Sequence, residues 1–184
     1  MGEAFRQWAP EVISALLLVP VGLVVAAWLA RLRRQRGDTT EWAWRASLAE
    51  VFLVVGTVPW LLMTLTPLPA HRSVEVLPRL DLGVRLSDPG IALVQVGGNL
   101  LVLAAFGLLA PVRWRIGLAS IALLAALGSL TIETLQYVLD LGRVSSINDV
   151  LLNTAGAVLA AQCSRPWWRA RRRALDVPVT AGVE

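Results

Sequence analysis

Between Ser129 and Gly156 ionisable and amide side chains sit within, or at the mouth of, strongly apolar segments. Glu133 and Gln136 are three residues apart and share one face of a helix. Asp149, Asn153 and Gly156 follow i, i+4, i+7 and share a face of the next. Arg143 lies in the short loop between, and Asn99 sits upstream in another apolar run beside Gly97 and Gly98. Polar groups in hydrocarbon are costly and normally face protein or a water-filled cavity. Two kinds of chemistry suit this set. Glu133 could act as a general base, with Arg143 or amide donors holding developing negative charge. Alternatively, the Arg143 guanidinium could grip a phosphate or carboxylate in bidentate fashion. No His, Cys or Ser triad supports the first. Metal ligands would have to come from Glu133 and Asp149 alone, so neither a metal nor a cofactor is implied.

A third reading is structural: Glu133, Arg143, Asp149 and the amides pair with one another and satisfy groups that lipid would leave bare. The loop is short enough for Arg143 to fold back over Glu133. For Asp149 a capping role suffices, since Ser146-x-x-Asp149 reads as a capping box opening the last helix.

The elements that must position these residues are membrane spans. The 184 residues are 56% hydrophobic and 16% charged, with a mean hydropathy of +0.63. That is too apolar for a soluble domain of this length. A pI near 10.9 raises nucleic acid as a partner. The arginines exclude it: they cluster at the ends of apolar runs and not along one polar face. Every basic residue other than His71 is arginine.

Apolar runs at 12–30, 46–66, 91–110, 116–139 and about 147–161 give an all-α fold, a polytopic integral membrane helical bundle with about five transmembrane helices. A cleaved signal peptide ending near Val25-Ala26-Ala27 competes for the first run, but the positive charge follows that run and does not precede it. Pro111 to Arg115 reads as a tight turn. Glu50 lies near the start of the second span and is expected to snorkel to the surface. Cys163 reads as a small core residue, and Trp167-Trp168 as an interfacial belt. The long polar stretch Pro67–Gly90 holds His71, Arg72, Arg79 and Arg85, read as solvated. Three parts follow: 1–45, a transmembrane helix and basic linker; 46–163, a transmembrane domain; and 164–184, a basic tail. Arginine clusters follow spans one, three and five. The positive-inside rule therefore expects a multi-pass protein of the cytoplasmic membrane, N-terminus outside and C-terminus cytoplasmic. The order of the spans then gathers Asn99, Glu133, Gln136, Arg143, Asp149 and Asn153 toward the outer side.

The series Ser129, Glu133, Gln136, Arg143, Asp149, Asn153, Gly156 resembles the VanZ-like family of bacterial membrane proteins, and Gly98-Asn99-Leu100-Leu101 resembles the same family's Gly-Asn segment. The likeness covers roughly residues 50–163. Where the family shows Phe-x-Pro-x-Gly, this chain has Leu103 to Gly107 and keeps only the glycine. A family segment like Asn-Leu-Ile-Pro-Phe corresponds to Glu75 to Arg79, changed at both ends. The resemblance implies teicoplanin-type glycopeptide resistance or envelope-lipid binding at the outer membrane face. Its partners would be membrane lipids and a lipid-linked cell-wall intermediate or lipoglycopeptide, without nucleic acid. The alternatives are a membrane-embedded hydrolase or transferase using Glu133 on a lipid-linked substrate, and a structural partner subunit.

Overall fold

The computed structural model describes residues 2–68, 73–75 and 89–168. His71, Arg72, Arg79, Arg85 and the basic tail beyond Trp168 lie outside the described residues. Among the described residues, six helices and two short strands follow in order: α1 Gly2–Gln35, α2 Thr40–Thr64, β1 Ser73–Glu75, α3 Pro89–Val102, α4 Ala104–Arg113, α5 Leu118–Val138, β2 Val144–Ser146 and α6 Ile147–Cys163.

Small residues pack inside this bundle and large ones face out. Ala26, Ala30, Ala43, Ala46 and Ala49 are buried on α1 and α2. Close approach over small side chains drives helix association where lipid removes the hydrophobic incentive. The core continues through Val102, Ala110, Ile121, Ala125, Ala157 and Ala161. Val24, Leu17, Leu123, Val138 and Leu159 are exposed. Such a surface would be a liability in water and is the expected one in hydrocarbon. Segments Leu16–Gln35, Thr40–Thr64, Gln95–Arg113 and Leu118–Val138 are long and apolar enough to cross a membrane. At 17 residues, α6 spans ~25 Å at 1.5 Å per residue and packs within the bundle.

Two helix ends are set by the same backbone motif. After α1, Gly37 is left-handed (φ 94°), and the N–H groups of Gly37 and Asp38 donate to the carbonyls of Arg34 and Arg33. After α5, Asp140 takes the left-handed position (φ 50°), and Asp140 and Leu141 donate to Tyr137 and Gln136. Both are Schellman closures.

The third span departs from the continuous helix expected over 91–110. It breaks at Leu103, while α4 runs on through Pro111 to Arg113, so the turn expected at Pro111 begins later. The break lets both halves reach α6 backbone to backbone. A Cβ on Gly156 would lie 2.0 Å from the Leu100 carbonyl oxygen of α3, and one on Gly107 1.9 Å from that of Ala157. The small residues that matter are thus Gly107 and Gly156. At Gly97 and Gly98, expected to admit a neighbouring helix, an added Cβ would meet nothing within 4 Å.

Three further expectations are corrected. Glu50 does not snorkel: its carboxylate bridges Arg33 of α1 and Arg113 of α4. A charge in reach of two guanidiniums gains more from them than from the surface. Cys163 is exposed, because the inward face of α6 is taken by Ala157 and Ala161. Trp168 folds back and donates its indole N–H to the Ala161 carbonyl at 3.1 Å, leaving Trp167 alone exposed.

Candidate functional site

The C-terminal ends of α2 and α5 and the N-terminal end of α6 meet at one end of the bundle. The Arg33–Glu50–Arg113 fork lies at the other, where α1 and α4 end and α5 begins. All six candidate residues belong to the first end or the interior just below it.

Glu133 is at the centre. Its side chain is 7% exposed. Carboxylate Oε2 accepts the backbone N–H of Ser146 at 2.9 Å, and its own carbonyl accepts the Ser145 hydroxyl at 2.9 Å. Ser146 is the N-cap of α6, its Oγ accepting from the Asn148 N–H at 3.1 Å. In a capping box the side chain at the third helical position returns to the N-cap N–H. Here the carboxylate of a neighbouring helix takes that bond, so Asp149 is not the capping partner expected of it. Asp149 instead accepts from the Asn99 amide of α3.

Arg143 does not close on Glu133. Its Nη2 donates to the Met63 carbonyl at 2.8 Å and its Nε to that of Thr66 at 3.2 Å. Both carbonyls lie at or just past the C-terminal end of α2, where the helix dipole favours a cation; that of Met63 also accepts the Thr66 N–H at 3.4 Å. Burial pulls the guanidinium down from its ordinary value, and the nearby carboxylates of Glu133 and Asp149 oppose that shift. The two residues therefore sense each other through space without touching. Gln136 makes a parallel link, donating to the Thr64 carbonyl at 2.9 Å. Deeper in, Asn153 donates to Ser129 Oγ at 2.7 Å, and its Oδ1 has no hydrogen-bond partner among the described residues.

The structure thus divides the six residues. Asn99 pairs with Asp149, Asn153 with Ser129, and Gln136 and Arg143 tie α2 to α5 and its loop. Of the six, Glu133 lines a groove of about 470 Å³. Leu130, Tyr137, Ile147, Val150 and Val74 form its apolar walls, and Glu133, Glu75, Thr134, Ser145 and Ser146 supply its polar atoms. Glu75 and Tyr137 were not singled out by the sequence. Glu75 arrives because β1 pairs in parallel with β2, in the register Ser73 to Val144, Val74 to Ser145 and Glu75 to Ser146. Two three-residue strands without alternating hydrophobicity carry no signal of that pairing.

No cluster of three or more His, Cys, Asp or Glu suited to a metal occurs among the described residues. The general-base reading asks for a cation or N–H donors facing the groove, yet Arg143 is committed to two backbone carbonyls.

No curated protein and no solved structure matches this chain. A family model described as VanZ/LLP1 matches residues 53–168, which contain the whole polar end of the bundle. The match covers well over half of the chain, and the protein belongs to the VanZ/LLP1 family.

Proposed function

We propose that this protein binds an amphiphile of the cell envelope at the outer face of the cytoplasmic membrane, in the groove over Glu133. The observation that carries the reading is the groove itself: apolar walls open beside the exposed face of α5 and end at a buried carboxylate. An acyl chain suits the walls, and a polar head suits the carboxylate end. Arg33, Arg34, Arg113 and Arg115 lie at the opposite end of the bundle, which the positive-inside rule assigns to the cytoplasm, with the N-terminus outside and the C-terminus within. Family membership makes a teicoplanin-type lipoglycopeptide the leading occupant, and glycopeptide resistance the leading role.

The test is production in a susceptible Gram-positive host. Sensitivity to teicoplanin should fall more than sensitivity to vancomycin, because a membrane groove reads the acyl tail. Glu133→Gln should abolish the protection while the protein accumulates normally. No protection from the wild-type protein refutes the resistance role, and parallel loss of protection and accumulation in the variant reduces Glu133 to a fold-holding residue.

A further inference from the structure

We infer that the groove selects an amphiphile whose head donates hydrogen bonds and carries positive charge, a primary ammonium in preference to a phosphate. This rests on the groove being the binding site and specifies what it takes.

Among the described residues, the charged side chains that line it are carboxylates, Glu133 from α5 and Glu75 from β1. They meet at the same place. Glu75 is the register partner of Ser146, and paired strands lie ~4.8 Å apart. The N–H of that same Ser146 is held by Glu133 Oε2. Two acidic residues thus line the groove beside one residue, Ser146. Among the described residues the hydrogen bond to the Glu133 carboxylate is made to Oε2, which leaves Oε1 for a ligand, and Glu75 is exposed. Among the described residues, Arg143 is the cation of the adjoining loop; it does not line the groove, and its Nε and Nη2 donate to the Thr66 and Met63 carbonyls. A phosphate head would bring a further negative charge against two carboxylates, which like-charge juxtaposition disfavours. An ammonium would neutralise them and supply the donors that acceptor-only carboxylates require. The tail lies along Leu130, Tyr137 and Val150.

The experiment uses the full-length protein in neutral detergent. Native mass spectrometry measures occupancy by hexadecylammonium and by hexadecyl phosphate, offered at equal concentration with the same chain. The wild type should favour the ammonium by about fivefold, the scale of one partly exposed ion pair. Glu75→Gln, at an exposed position that leaves the fold intact, should reduce the preference. Glu75→Gln with Glu133→Gln should remove it and leave chain-driven binding. Equal or greater occupancy by the phosphate in the wild type overturns the inference, as does a preference that survives the double change. Leu130→Trp separates this from failure of the site: filling the groove should expel both amphiphiles. If it expels neither, the binding surface lies elsewhere.

Discussion

The backbone N–H of Ser146, which opens α6, is held by the carboxylate of Glu133 on α5, 13 residues earlier in the chain. One side chain thereby caps a neighbouring helix, fixes the turn between the two and borders the groove. Structure and binding meet in the same carboxylate, so they must be separated by the choice of substitution.

Glu133→Gln retains an acceptor for the Ser146 N–H, and Glu133→Ala does not. The alanine variant leaves a buried donor unsatisfied, at a cost of about 1–3 kcal/mol. Thermal unfolding in detergent should show a clear drop for alanine and little change for glutamine. Equal losses would mean that the negative charge, and not the hydrogen bond, holds this turn.

Gly107→Ala and Gly156→Ala should both be damaging, since the new methyl would collide with a backbone carbonyl of the facing helix. Overpacking of this kind costs about 1–3 kcal/mol or more. Gly97→Ala, where nothing lies within 4 Å, should be neutral or stabilising by up to about 1 kcal/mol through helix propensity. Membrane accumulation and melting temperature read all three, and a harmless Gly156→Ala would contradict the close contact between α3 and α6.

Much of this arrangement is legible in the sequence, and the limits are physical. Apolar runs mark the helices, because length and hydropathy alone decide what can span a bilayer. Glu133, Gln136, Asp149 and Asn153 stand out because hydrocarbon penalises them. Partnership is another matter. Helical periodicity shows which face a residue occupies and not which helix it meets, so Arg143 reads as the partner of Glu133 when its guanidinium is drawn to the carbonyls at the end of α2. The break at Leu103 has no proline or glycine at the site to announce it. Glu50 reads as a surface charge because Arg33 and Arg113, 17 and 63 residues away along the chain, join it only through tertiary packing.

That fork gives a third expectation. Glu50 ties α1 and α4 through two guanidiniums, and Arg33 also donates to Ser47 at 2.7 Å. Glu50→Gln should destabilise the bundle by more than either Arg33→Ala or Arg113→Ala. Because about a quarter of Glu50 remains exposed, the loss should be about 1–3 kcal/mol, below that of a fully buried pair. A double-mutant cycle between Arg33 and Arg113 should be non-additive, since they share one carboxylate; strict additivity would dissolve the fork.

Arg143→Lys should fail to replace the arginine. Two carbonyls are held by two N–H groups of one planar fork, and an ammonium reaches them with different geometry. The expected cost is about 1–2 kcal/mol, with Arg143→Gln similar. Full recovery by lysine would show that charge at the end of α2 matters more than the paired hydrogen bonds.

The most direct test of the central claim is photo-crosslinking in membranes with a lipid carrying a diazirine in its acyl chain, read residue by residue by mass spectrometry. Bound lipid should label Leu130, Tyr137 and Val150, and excess unlabelled amphiphile should compete that labelling away. Labelling at Leu17 and Val24 on the outer face of α1 should persist, as bulk lipid cannot be competed. If labelling at the groove resists competition as fully as labelling on α1, the groove is ordinary lipid-facing surface and the proposed binding site does not exist.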